Sequence, residues 1–102
     1  MAAPSEGTLS IEGNDFTVSF KWNDEPRDFK GKLQGQAPKD FKNIKAIIFQ
    51  TIPDAAHGPS SFSGSVEPAG ILVSLNDGLI SVNAQLETGE TFNFAGQGSW
   101  ND

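Results

Sequence analysis

The tripeptide pattern Phe-x-Gly occurs three times along the chain, at Phe29-Lys30-Gly31, Phe62-Ser63-Gly64 and Phe94-Ala95-Gly96. The steps of 33 and 32 residues are typical of a small supersecondary unit that has been used more than once. In an extended strand the ring and the glycine of each copy point to the same side, because side chains alternate with a period of two. A glycine there leaves a gap that an aromatic ring from a neighbouring strand can cover. The repeat therefore predicts core packing in a bent β-sheet.

Period-two alternation recurs along the rest of the chain, whereas the 3.6-residue period of helices is hardly present. One strand face, for example, carries Phe16, Val18, Phe20 and Trp22. A chain of 102 residues has room for one domain with one core. We therefore expect an all-β fold, either a single antiparallel β-sandwich or a small closed barrel of about eight strands. We place a disordered leader at residues 1–7 and the single β domain at residues 8–102.

Two stretches of the chain, residues 8–34 and 70–100, share an order of features: strand, Asn-Asp turn, strand, short polar turn and Phe-x-Gly strand. This order predicts two related three-stranded meanders, joined by a divergent section of two strands. The second meander is expected to contain a hairpin at Asn76-Asp77-Gly78. A tight turn at residues 87–90 then leads into its last strand.

The densest apolar run is Ala46-Ile47-Ile48-Phe49, which lies in the divergent section. Its apolar side chains occupy both alternating positions of a strand. A strand of this kind is typical of a sheet covered on both sides. We therefore expect both of its faces to be buried.

The chain contains no cysteine and one histidine, His57. This excludes disulfides, a cysteine nucleophile and a tetrahedral nitrogen and sulfur metal site built from this chain alone. Asp24, Glu25 and Asp28 supply oxygen ligands around a turn, but they do not form an EF-hand loop. No glycine-rich loop opens a helix as phosphate-binding loops do. We expect neither a metal nor a cofactor.

The segment Asp54, His57, Ser60 and Ser61 contains the residue types of a hydrolase triad. Triad members are normally brought together by the fold and not by closeness in sequence. Neither serine lies in a nucleophile-elbow pattern. We expect an exposed loop and no enzymatic activity.

The net charge of −6 is unevenly distributed, because all seven basic residues lie between positions 21 and 45 and residues 46–102 carry six acids. Acids are interleaved with the lysines, which weakens any field that could follow a phosphate backbone. Phe29 and Lys30 also point to opposite faces of their strand, whereas a base-stacking surface needs ring and cation together. We expect no nucleic acid partner.

No apolar run approaches the roughly 20 residues that a membrane-spanning helix needs. The first residues also lack the charged and apolar regions of a signal peptide. We expect no membrane span and a cytoplasmic location for the sequence as given, or secretion if it is the mature form of a processed precursor.

The tripeptide Trp-Asn-Asp occurs as Trp22-Asn23-Asp24 and as Trp100-Asn101-Asp102. An indole ring beside amide and carboxylate groups can stack on a sugar ring and bond its hydroxyls. The candidate ligand-binding residues are therefore Trp22, Asn23, Asp24, Trp100 and Asn101. Both rings also share the inward parity of the phenylalanines on their strands, so packing at strand ends is the competing interpretation.

These features favour a small non-enzymatic binding module with a carbohydrate ligand, similar in role to a lectin. The alternative is an acidic protein-interaction module, such as an inhibitor or immunity-type protein, whose acidic second half faces a basic partner.

Overall fold

The computed structural model describes residues 4–52 and 54–101. Within those ranges the chain forms β1 (Ser5–Glu12), β2 (Asp15–Trp22), β3 (Glu25–Leu33), β4 (Phe41–Gln50), β5 (Pro59–Glu67), β6 (Gly70–Leu75), β7 (Ile80–Gln85) and β8 (Phe92–Trp100). A short 3₁₀ turn, Asn76–Gly78, joins β6 to β7. None of the described segments is a helix with the length and apolar character needed to cross a membrane. The all-β prediction is confirmed.

The eight strands close into one antiparallel barrel with the order β1-β2-β3-β8-β5-β6-β7-β4. β1 pairs with β2 on one side and with β4 on the other, which completes the closure. Closure pairs the backbone of every strand with two neighbours, and this removes the exposed edges that an open sheet has to protect. Of the two expected architectures, the barrel is therefore the one that forms.

β1 begins inside the predicted leader. Ser5 pairs with Ile48, and Gly7 lies between Ala46 of β4 and Phe20 of β2. A Cβ atom at Gly7 would lie 2.8 Å from the side chains of Ile48 and Phe20, so this glycine fits a crowded position between two strands. Residues 5–7 thus belong to the barrel, while residues 1–3 lie outside the described residues.

The first predicted meander forms, because β1, β2 and β3 are neighbours in order. The second does not, because β8 leaves β7 and lies between β3 and β5. Residues 86–91 pass beside the β5–β6 turn instead of making a tight hairpin. Thr88 holds this passage there: its N–H donates to Pro68 O at 3.1 Å and its hydroxyl to Glu67 O at 2.6 Å. The chain contains one meander of β1 to β3 and another of β5 to β7, with β8 closing the gap between them.

The three Phe-x-Gly copies lie on the neighbouring strands β3, β8 and β5. On β5 and β8 the copies run in opposite directions, so that Phe62 faces Gly96 and Gly64 faces Phe94. A Cβ atom at Gly96 would lie 2.8 Å from the ring of Phe62, and one at Gly64 would lie 2.5 Å from that of Phe94. Each ring therefore fills the space that the opposite glycine leaves empty.

Phe62 also covers the glycine of the third copy. A Cβ atom at Gly31 of β3 would lie 2.7 Å from this ring. The ring stacks on Phe16 with centroids 4.5 Å apart and meets Phe29 edge-on at 5.6 Å. The interpretation of the repeat as core packing agrees with this geometry.

β4 buries only one of its faces. Ile48 and Ala46 point into the barrel and are buried, whereas Ile47 is 37% exposed and Phe49 is 43% exposed. The expectation that both faces are buried is wrong, because the described strands form one closed layer whose outer side is left uncovered at Ile47 and Phe49. Two large apolar side chains are left on the outer surface.

We predict that Gly96→Ala destabilises the protein by about 1–3 kcal/mol or more, as overpacking of a core does. The added methyl group would collide with the Phe62 ring and with the carbonyl oxygen of Lys32 on β3. Urea denaturation measures the loss. The control is Ser99→Thr, which adds a methyl group on the exposed side of the same strand and should change stability by less than about 0.5 kcal/mol. Equal effects of the two substitutions would contradict the packing role of Gly96.

Candidate functional site

Trp100 lies in the core and not on the surface. It is 4% exposed, and its ring meets Phe20 and Phe29 edge-on at 5.8 and 5.3 Å. Its indole N–H donates to Asn76 Oδ1 at 2.9 Å. Stacking on a sugar at this position would require the ring to leave the core. The geometry therefore agrees with packing of the ring at the strand end.

The other copy of the tripeptide is more open. Trp22 is half-buried against the core, while Asn23 and Asp24 are exposed. The two polar residues form the β2–β3 turn with φ values of 51° and 64°, the left-handed pair that a two-residue hairpin turn requires. The residue types at this position are therefore accounted for by the turn.

Asn101 is bonded to β3. Its side-chain oxygen accepts from Asp28 N–H at 3.2 Å, and its side-chain nitrogen donates to Pro26 O at 3.4 Å. The β2–β3 turn and the end of β8 lie at the same end of the barrel, but the two copies do not present two rings to a common ligand. Asp102 lies outside the described residues.

The same barrel end is covered by the closing loop (residues 54–58), which an ionic group holds in place. Arg27 points inward from β3, and its side chain is 11% exposed. Its guanidinium contacts Asp54 at 3.0 Å and Glu25 at 3.2 Å. Asp54 in turn lies 3.1 Å from Nε2 of His57. A half-buried cation is thus paired with two acids as the loop passes over it.

Charge pairing shifts two pKa values in this group. The hydrogen bond from His57, followed by that from Arg27, lowers the pKa of the Asp54 carboxyl below its usual 3.8. The hydrogen bond to Asp54 raises the pKa of Arg27, against the opposing effect of desolvation. Both shifts favour the charged forms that hold the loop.

Amide side chains complete the attachment of the closing loop. Gln50, 3% exposed, accepts from Ala55 N–H at 2.8 Å. Asn76 Nδ2 donates to Ala55 O at 2.7 Å and to His57 O at 3.3 Å. Gln50 Nε2 and Arg27 Nε are buried and have no hydrogen-bond partner among the residues that the structure describes. Such donors in an otherwise bonded interior are commonly met by ordered water.

Of the residue types that a hydrolase triad uses, Asp54 and His57 lie in contact at 3.1 Å. Ser60 Oγ donates to Ser61 O at 2.6 Å and accepts from Asn76 N–H at 2.8 Å, so its bonds serve the backbone of the turn. In the described part of the chain, no three acidic or histidine side chains are grouped as a metal site would need. The loop end of the barrel is therefore organised around structural contacts.

A different surface combines exposed apolar and polar groups. Two rows of cross-strand partners run over the outside of β4, β7, β6, β5 and β8. The rows are Ile47, Asn83, Leu72, Ser65 and Asn93, and Phe49, Ser81, Ser74, Ser63 and Ala95. We call these ten residues the neutral wall. None of them is charged, although the chain has a net charge of −6.

The polar side chains of the neutral wall are available to a ligand. Within the described residues, none of its four serines and two asparagines has a side-chain hydrogen bond to the rest of the protein. Leu72 is 51% exposed and Phe49 is 43% exposed. The wall lines a shallow groove of about 960 Å³, which is in the size range of small-molecule sites.

The sequence alone predicts only the serine part of the neutral wall. Ser61, Ser63 and Ser65 alternate with buried residues, which predicts a serine-lined outer face on β5. The apolar members of the wall carry no such signal, because Ile47 and Phe49 are typical core residues. Only strand pairing places them beside the serines.

We predict that the two tryptophans differ in accessibility. In Trp22→Phe the remaining Trp100 should show blue-shifted emission that acrylamide barely quenches, because its ring is buried. In Trp100→Phe the half-buried Trp22 should be quenched more strongly. Steady-state fluorescence of both variants in the folded state measures this, and strong quenching of Trp100 would contradict its place in the core.

We predict that Asp54 contributes stability which is lost in acid. Because its folded pKa is lower than its unfolded pKa, the contribution is full above about pH 4–5 and disappears as the pH falls through the folded value. The stability gap between wild type and Asp54→Asn should therefore close below pH 3.8. Urea midpoints from about pH 2 to 7 measure the gap. The control is Asp77→Asn, an exposed acid of the β6–β7 turn, and an identical pH profile in both variants would contradict the role of Asp54.

Comparisons of the chain with protein-family models, curated proteins and solved structures find no match. The function of the neutral wall therefore has to be inferred from its own side chains.

Proposed function

We propose that the protein is a small non-enzymatic binding module whose neutral wall binds carbohydrate. The observation that carries the proposal is the exposed ring of Phe49 at the end of a row of three serines, with Asn83 in the adjacent row. The apolar face of a sugar ring packs on an aromatic ring, while its hydroxyls need donors and acceptors beside that ring. Serine hydroxyls and asparagine amides supply both.

The chemistry of the wall supports this ligand class over others. A nucleic acid or phosphorylated ligand needs cationic side chains for its phosphates, and the wall has none. Acid–base catalysis needs a side chain that gives or takes a proton, and serine and asparagine without a neighbouring base are poor at this. An uncharged polyol matches a surface of hydroxyls, amides and one ring.

The Trp22-Asn23-Asp24 turn remains a second candidate position for a sugar. It combines a half-buried indole with two exposed polar residues. Trp100 and Asn101 are not part of it, because the Trp100 ring is buried and the Asn101 amide is bonded to the backbone of β3. The proposal therefore moves the main site from the strand ends to the outer face of β4 and β7.

The alternative function, an acidic module for a basic protein, is supported by a different surface. At the opposite barrel end the backbone oxygens of Glu67 and Glu90 accept from the hydroxyl of the buried Thr88, and Glu87 is the residue before it. Lys39 Nζ also donates to Thr88 O there, at 2.9 Å, so one cation accompanies the three acids. Salt-sensitive binding of a purified cationic protein, weakened by Glu87→Gln together with Glu90→Gln and unaffected by Phe49→Ala, would favour this function over carbohydrate.

We predict that Phe49→Ala lowers glycan affinity at least tenfold on a glycan array and in titration calorimetry, because the stacking surface is lost. Phe49→Trp should keep or strengthen binding, since it enlarges the ring. Phe49→Leu should weaken it, since it keeps apolar bulk without a π face.

The control is Ile52→Ala, which trims an apolar residue that is 50% exposed but lies outside the wall. Binding equal to wild type in Phe49→Leu would indicate general apolar docking of a protein instead of a sugar. If the wild-type protein binds no glycan on the array, the proposed function is wrong.

A further inference from the structure

We propose that the ligand is a neutral oligosaccharide longer than a disaccharide. It crosses the ridge formed by Phe49 and Asn83 and occupies a groove on each side of this ridge. This inference rests on the proposed function. The two grooves indicate the length and the charge of the ligand, and neither property follows from the exposed Phe49 ring alone.

Phe49 and Asn83 stand between two grooves and line both of them. The first groove, of about 960 Å³, lies on the serine side of the ridge. The second groove, of about 640 Å³, lies toward β1 and is lined by Thr8, Lys45 and Gln85. One ligand that stacks on Phe49 therefore has polar side chains within reach in both directions.

The distance across the ridge sets the length of the ligand. From Ser74 on β6 to Thr8 on β1 the surface crosses β7 and β4, which is three strand spacings or roughly 14 Å. Thr8 pairs with Lys45, four residues from Phe49, which adds an offset of roughly 13 Å along the strands. A single sugar ring on Phe49 cannot reach both sides. A longer chain can place one ring on Phe49 and further rings against Ser74 and against Gln85.

The charge pattern favours a neutral glycan. The first groove has no cationic side chain to pair with a carboxylate or sulfate, and the chain has a net charge of −6. In the second groove Lys45 is accompanied by Glu6 on the neighbouring strand. An acidic sugar would meet no net positive charge on either side.

Titration calorimetry of the full chain tests the inference, with cellulose-, chitin- and mannan-derived oligosaccharides of one to six rings as probes. Hyaluronan oligomers of matched length form the acidic arm. In the series that binds, we expect affinity to rise at least tenfold from one ring to the length that fills both grooves, and then to level off. Hyaluronan should bind at least tenfold more weakly.

The variant Gln85→Ala separates the two grooves. It should weaken the six-ring ligand about fivefold, as the loss of one hydrogen bond does, and leave the shortest ligand that binds unchanged. The control is Gln97→Ala, an exposed glutamine on the outside of β8 next to Lys32 of β3, which should change neither affinity.

Affinity that is independent of length, or of Gln85 for long ligands, would overturn the extended site while leaving glycan binding at Phe49 intact. Tighter binding of hyaluronan would overturn the neutral assignment. Absence of binding to every probe and on the array overturns both proposals. Sedimentation of the same samples would then report whether a second copy of the chain occupies the wall, with a dimer that Phe49→Ala dissociates as the signature.

Discussion

The ring of Phe62, lying over glycines of the two strands beyond its own, is the contact on which the rest of the barrel depends. Gly96 on β8 and Gly31 on β3 leave space that this ring fills, and the ring also stacks on Phe16. A side chain at either glycine would hold the sheet away from the ring. The contact packs β8 between β3 and β5, where β8 joins the two meanders of the barrel.

Closure has consequences at the barrel end that the loop covers. The open ends of a closed barrel still have to be covered, and at this end the covering loop is held partly by ion pairs. Arg27 points inward and would be a costly half-buried charge without Asp54 and Glu25. The indole N–H of Trp100 donates to Asn76, which itself bonds to the closing loop. Trp100, one of the ligand-binding candidates from the sequence, is therefore engaged in holding the closing loop, and its backbone N–H also donates to Gly58 O at 3.0 Å.

Closure of the barrel also determines which side chains are exposed on its outer face. Because the described strands form a single closed sheet, the outer face of β4 is uncovered and Ile47 and Phe49 remain exposed. The described charged residues of the second half of the chain lie in turns and loops and at strand ends, while the strands between them carry serine and asparagine outward. An uncharged surface with one aromatic ring results on a strongly acidic protein, and it is the basis of the proposed carbohydrate site.

The sequence by itself determined the all-β class, the hairpin at Asn76-Asp77-Gly78, and the shared inward side of each Phe-x-Gly copy, because alternation and left-handed turn residues act locally. Only the tertiary structure decided that the sheet closes, that β8 leaves the expected second meander, and that Phe49 lies beside Ser81. These depend on pairings between strands far apart in the chain, which local patterns do not encode. The candidate site moved from Trp100 to Phe49 for the same reason: parity tells which residues share a face, but only the closed barrel tells which face meets water.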